Sequence, residues 1–198
     1  MSFSLARCVE TAAGLLDACG PLEPVQLVLS ARDVQLEIGG AGPAAVESLG
    51  RLAAVVGADL VTSPPCGAVT HSLTADLADG LVLVAGVCPP LTDVIGGGGV
   101  LVTSTRHTAE LLRSVLPWVR GLDDQVLGAP ELWVVDQGHA HSLRLMLAAA
   151  AGDDLQLLGT AAGQGLTGLR LWPTDSGLDG AGQLPCGRTA RIGIVSSY

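Results

Sequence analysis

The apolar residues of the first twenty positions recur at helical spacing, with Leu5, Cys8, Val9, Ala12, Leu15, Leu16 and Cys19 on one stripe. Ser4 stands where a hydroxyl can accept from first-turn amides, and Gly20 followed by Pro21 stops the pattern, which predicts an amphipathic helix. The period then changes to two. Val25, Leu27 and Leu29, and after a turn Val34, Leu36 and Ile38 against Asp33, Gln35 and Glu37, predict two paired strands with one wet face. Pro43 suits a first helical position, and Val46, Leu49, Leu52, Ala53 and Val56 predict a second helix that ends at Gly57. Residues 60–62, 69–77 and 81–87 read as three strands, the last two joined by a hairpin turn at Asp79 and Gly80.

The second half opens with a helix from about residue 105, striped by Leu111, Leu112, Val115, Trp118 and Val119, in which Pro117 is expected to kink or split the rod. Residues 131–135 are apolar on both faces and predict a central strand. Residues 139–151 carry Leu143, Met146, Leu147 and Ala150 at helical spacing and predict a helix stopped by Gly152. Strands are expected at 155–158, 166–172 and 188–195, with a long Gly- and Asp-containing loop over 174–187. In both halves, at 57–60 and 152–155, an alanine-rich stretch runs into Gly, an acidic step and Leu.

The expected class is therefore α+β: two tandem repeats of helix, strand, helix and three-stranded antiparallel sheet, with one extra strand in the first. The units span 1–92 and 105–198, a Gly-rich connection fills 93–104, and the two sheets stay separate or merge into one. In topology alone this order is similar to the half-domains of DNA sliding clamps. No clamp motif accompanies it.

Composition adds the surface. Only 15% of the 198 residues are charged while 48% are hydrophobic, so few ionic groups are available to cover a monomer and an exposed apolar interface is expected. The net charge of −9 argues against a general attraction to phosphate backbones, which makes nucleic acid an unlikely partner. Every basic residue is Arg and none is Lys, which with abundant Ala, Gly, Leu and Val matches the codon usage of a high-GC bacterium. The charge-free run at 80–92 contains Pro89 and Pro90 and falls short of the roughly 20 residues a spanning helix needs. Arg7, Glu10 and Asp17 interrupt the apolar core a secretory signal requires, and five cysteines without close pairing fit reduced thiols, so a cytoplasmic protein is expected.

Candidate chemistry is sparse. Residues 96–99 are four glycines, but no Lys-Ser/Thr follows them, which favours a hinge over a phosphate loop. Asp136, His139 and His141 are the densest group of metal-ligand types. On a helix the two histidines would point about 200° apart, so the bland reading makes them cap, turn and surface residues. Cys66, Cys88 and Cys186 each neighbour a proline but lack the close pairing of a zinc site; they read as semi-buried turn thiols. His71 alternates with Val69 and Leu73 and reads as a hydrogen-bonded core histidine, whereas His107 adds nothing specific. Ser63, Ser104 and Ser142 lack a nucleophile elbow. Trp118, Trp133 and Trp172 all fall in the second half, as core or as a partner surface, and the Pro-kinked stretch of Val115, Trp118 and Val119 is the first candidate interface.

The sequence thus leads to a non-enzymatic assembly or adaptor protein that self-associates through strand edges or helical faces, with no cofactor, metal or membrane. The alternative is a small-molecule or metal-dependent enzyme or binder at Asp136, His139 and His141. A lower alternative is an acidic clamp-like or DNA-mimic protein.

Overall fold

The computed structural model describes residues 4–23, 25–40, 42–63, 70–88, 105–123, 130–136 and 141–196. Among these residues four α-helices and ten strands form an α+β fold with one continuous mixed sheet. The first half contributes α1 (Leu5–Cys19), β1 (Val25–Leu29), β2 (Asp33–Gly39), α2 (Pro43–Val56), β3 (Val61–Ser63), β4 (Thr70–Asp76) and β5 (Val82–Cys88). The second contributes α3 (Thr105–Asp123), β6 (Glu131–Asp136), β7 (His141–Ala149), α4 (Leu155–Ala162), β8 (Thr167–Thr174), β9 (Gly177–Gln183) and β10 (Thr189–Ser196). Across the sheet the order is β3-β4-β5-β2-β1-β6-β7-β10-β9-β8. The β2–β5 and β7–β10 ladders are parallel and the rest antiparallel, so the purely antiparallel sheets expected from the sequence give way to a mixed one.

The halves meet at the middle. Leu27 of β1 lies opposite Val134 of β6, and Val28 opposite Trp133. Beneath that ladder α1 packs along α3, and the first turn of α1 is capped from the far end of its neighbour. The Asp123 carboxylate accepts the Leu5 amide at 2.9 Å and the Ala6 amide at 3.0 Å, while the Ser4 hydroxyl donates to it at 2.5 Å and accepts the Arg7 amide at 3.2 Å. A carboxylate there satisfies orphan donors and meets the positive end of the helix dipole. Arg113 pairs with Asp17 and Arg120 with Glu10 along the same seam.

One set of alternating strand positions is buried beneath the helices: Val25, Leu27 and Leu29; Val34, Leu36 and Ile38; Leu132 and Val134; Leu143, Leu145 and Leu147; Ile192 and Ile194. With the apolar stripes of α1, α2 and α3 they make one hydrophobic cluster that draws on both halves. Cys8 and Cys19 are buried in it as expected of small hydrophobes. The Cys8 thiol donates to the Asp33 carbonyl at 3.2 Å, and burial, reinforced by the Asp33 carboxylate, pushes its pKa up to about 12.

Three predicted elements differ. Residues 139–151 are not a helix: their described part is strand β7, held between β6 and β10, because Leu143, Leu145, Leu147 and Ala149 also alternate and that period reaches the core. Residues 155–158 are not a strand but the first turn of α4, capped by the Asp154 side chain, which accepts the Gln156 and Leu157 amides at 2.9 and 3.1 Å. The expected 174–187 loop contains β9, paired with β8 and β10. Pro117 lies exposed on α3, which continues unbroken through it. The second half accordingly runs helix, two strands, helix, three strands, with one strand more and one helix placed later than expected.

Candidate functional site

The strand positions not covered by the described helices form the second face of the sheet, and register places their residues in rows. Thr74, Val84, Gln35, Val28, Trp133, Arg144, Arg191, Ala181 and Arg170 are consecutive cross-strand neighbours from β4 to β8. Large apolar side chains stay in solvent here: Val84 is 44% exposed, Trp133 38%, Trp172 43% and Val195 43%. Trp133 donates its indole N–H to Glu131 at 3.1 Å, and Arg144 reaches Asp179 at 2.9 Å. The Arg144 Nε is buried without a partner, lying over Gly193, where a Cβ would sit 2.9 Å from it and 2.7 Å from the Met146 sulfur. Charge is divided along the face. Glu37 and Asp76 are exposed on β2 and β4, with Asp33 beside them, while Arg144, Arg170 and Arg191 stand on β7, β8 and β10.

The β8 rim resists extension: it carries Pro173 and a register shift between Thr167 and Arg170, each of which spoils a template for another strand. At the β3 rim a shallow concavity of about 710 Å³ is lined by Val56, Asp59, Val61, Ser72, Thr74 and Asp76, with no histidine, arginine or thiol in its wall.

The candidates read from the sequence fall elsewhere. Val115 and Val119 are fully buried and Trp118 is 4% exposed, its indole N–H donating to the Ala162 carbonyl at 2.9 Å. These three residues are core packing of α3 against α1 and α4, which corrects their reading as an interface. Asp136 ends β6 and His141 begins β7, directly opposite in register, so the helical divergence expected of the histidines does not apply; His139 lies outside the described residues. No group of three or more His, Cys, Asp or Glu placed to hold a metal occurs among the described residues. His71 sits half-buried near the rim, its Nδ1 3.2 Å from the Thr62 hydroxyl across the β3–β4 ladder, and is not a core residue. Cys186 is exposed in a turn; slight burial raises its thiol pKa, but hydrogen bonding with the Arg188 backbone and the Ser114 side chain outweighs that and lowers it overall. Cys66 lies outside the described residues, as do residues 96–99.

Sequence reasoning missed the uncovered face as a unit. Its signal was the polar-side alternation itself, in which Val84, Trp133, Trp172 and Val195 stand where Gln, Thr or Glu would serve a solvated surface. No helix among the described residues is long and apolar enough to cross a membrane. No protein-family model matches the chain, and no curated protein is significantly similar to it. Among solved structures, a xylose isomerase-like TIM barrel/4-hydroxyphenylpyruvate dioxygenase fusion protein aligns with 100% of this chain and 48% of its own, at 9% identity and a TM-score of 0.22. The chain spans about half the length of that structure, and a likeness this slight transfers neither fold nor activity.

Proposed function

We propose that this chain is a non-enzymatic assembly subunit, and that the surface it uses is the uncovered face of its ten-stranded sheet. One observation carries the reading: a continuous face on which Val84, Trp133, Trp172 and Val195 are each more than a third exposed. Association through the β8 edge is disfavoured by Pro173, and the apolar stripe of α3 is spent on the chain's own core. A second line of support is internal: helix, two strands, helix and three strands recur in each half, and the strand order reads alike from either rim, as a duplicated unit paired through its first strands would give.

Light scattering over a concentration series tests the reading. The wild type is expected above monomer mass and Val84→Arg at monomer mass with an unchanged circular dichroism spectrum. A wild type that is monomeric and retains no partner, or a Val84→Arg protein that associates as the wild type does, overturns it.

The register of Asp136 opposite His141 favours one alternative, a ligand or metal site that draws on Asp136, His141 and, from outside the described residues, His139. Stoichiometric zinc, manganese or iron by elemental analysis, lost on His141→Ala, would establish it.

A further inference from the structure

Resting on the assembly reading above, we infer that the occupant of the uncovered face is a second copy of this chain, stacked face to face about a two-fold axis that runs parallel to the strands. The size is sufficient. Ten strands about 4.8 Å apart and about 20 Å long present roughly 900 Å² per copy, close to the ~800 Å² per partner of a stable interface.

Charge selects the arrangement. In the first half the described residues of this face include Glu37, Asp76 and Asp33 and no arginine; in the second they include Arg144, Arg170 and Arg191. Two carboxylates also stand in the second half: Asp179 pairs with Arg144, so those two charges cancel, and Glu131, which accepts the Trp133 indole N–H, leaves Arg170 and Arg191 in excess by one. Arg170 and Arg191 are exposed and have no ion pair among the described residues.

Two sheets can stack with two-fold symmetry about an axis along the strands or about one across them. The axis across the strands lays each half on its own counterpart, carboxylates on carboxylates and guanidiniums on guanidiniums. The axis along the strands lays β1–β5 of one copy over β6–β10 of the other. Because the strand order is matched about the β1–β6 ladder, β2 then crosses β7, which brings the Glu37 strand over the Arg144 strand. Likewise β4, with Asp76, lies over β9; register sets Asp76 level with Asp179, which pairs with Arg144, and places Arg191 and Arg170 one residue pair away on the two flanking strands. The offset along the strand between these rows is one residue pair, about 7 Å, which an arginine side chain spans. Opposite charges facing across an interface fix its register and exclude the alternative pairing. Trp133 and Val28, opposite each other on the central ladder, flank the axis, so Trp133 of each copy faces Val28 of the other.

A charge-swap experiment tests this. The acidic variant is Arg170→Glu with Arg191→Glu, and the basic variant is Glu37→Arg with Asp76→Arg. Each alone is expected to be a folded monomer by circular dichroism and light scattering, its self-affinity weakened more than about tenfold. A one-to-one mixture is expected to recover the dimer mass as a heterodimer, which also shows both variants folded. If both variants stay dimeric while Val84→Arg dissociates, the face is used in another arrangement and this inference fails alone. If all three stay dimeric, the assembly reading fails with it. A wild type that stays monomeric at about 100 µM and instead retains a polyglutamate peptide overturns self-pairing in favour of a foreign acidic partner.

Discussion

Val28 of β1 and Trp133 of β6 stand opposite each other across the ladder that joins the two halves, on the face that none of the described helices covers. An indole more than a third exposed beside an aliphatic neighbour contributes little to the fold of one chain, because much of its surface remains in water. Its value lies in what it can meet. Trp133→Ser is expected to change unfolding free energy in urea by less than ~1 kcal/mol at concentrations where the protein is monomeric, while weakening self-association more than about tenfold. Tryptophan emission provides the same reading without mutation. Diluting the wild type should shift emission to longer wavelength as Trp133 and Trp172 become wet, and the buried Trp118 should hold a blue component at every concentration.

Asp123 acts at a distance from its own helix. Its carboxylate holds two amides and one hydroxyl at the start of α1, so Asp123→Ala strands those donors and removes a favourable charge from the helix N-terminus. A loss of about 1–2 kcal/mol is expected in urea unfolding at neutral pH, and Asp123→Asn should recover part of it by keeping an acceptor in place. Equal stability of the Ala variant and wild type would show that water replaces the cap.

Cys8 makes alkaline stability measurable. Its thiol is neutral in the folded chain up to about pH 12, whereas the unfolded chain ionises near the ordinary cysteine value of 9.0. The raised pKa therefore contributes stability that is complete below pH 9 and is lost as pH climbs from there toward 12. The contribution to the slope is at most about 1.4 kcal/mol per pH unit. Cys8→Ala should flatten that part of the profile while lowering stability at pH 7 through lost packing. At neutral pH, iodoacetamide should modify the exposed Cys186 before Cys8 or Cys19, as read by peptide mass mapping.

Gly177 has a backbone that side chains rarely adopt, with φ +154, and a Cβ there would run into the Ile194 carbonyl oxygen. Gly177→Ala is expected to cost more than ~2 kcal/mol in thermal or urea unfolding, because the backbone of β10 must move rather than a flexible side chain. Gly187, with φ +81 but no atom within 4 Å of its Cβ position, should tolerate alanine at a smaller cost.

The first half was legible because each of its patterns had one period. Leu5 to Cys19 fits only a helix, and Val34, Leu36 and Ile38 fit only a strand. The second half was ambiguous at the same level. Leu143, Met146 and Leu147 satisfy helical spacing and Leu143, Leu145 and Leu147 satisfy strand spacing; only the neighbours β6 and β10, remote in sequence, decide between them. The run after Gly152 hid a helix because its start signal, Asp154, was read as one acidic step of a recurring phrase and not as a cap. The glycines of β9 looked like a loop for a similar reason. They are small because Leu171 and Leu166 come close: a Cβ at Gly180 would lie 2.5 Å from Leu171, and one at Gly182 2.8 Å from Leu166. The excess of apolar over charged residues led to the expectation of an exposed interface and gave no position for one. The stripe with Trp118 was the more conspicuous in the sequence and is core, while Val84 and Val195 are inconspicuous one at a time and become a surface only in register.

The seam between the halves also sets the order of events when the chain folds. Hairpins such as β1–β2 and β8–β9 close over short loops, but the Leu5 amide and the Asp123 carboxylate are 118 positions apart, and the β1–β6 ladder is similarly remote. Closing such a loop costs entropy before any contact rewards it, so the joining of the halves is expected to be the late and rate-limiting event, which refolding kinetics would check. Substitutions in the α1–α3 seam should therefore slow refolding, while those at the rims should mainly hasten unfolding.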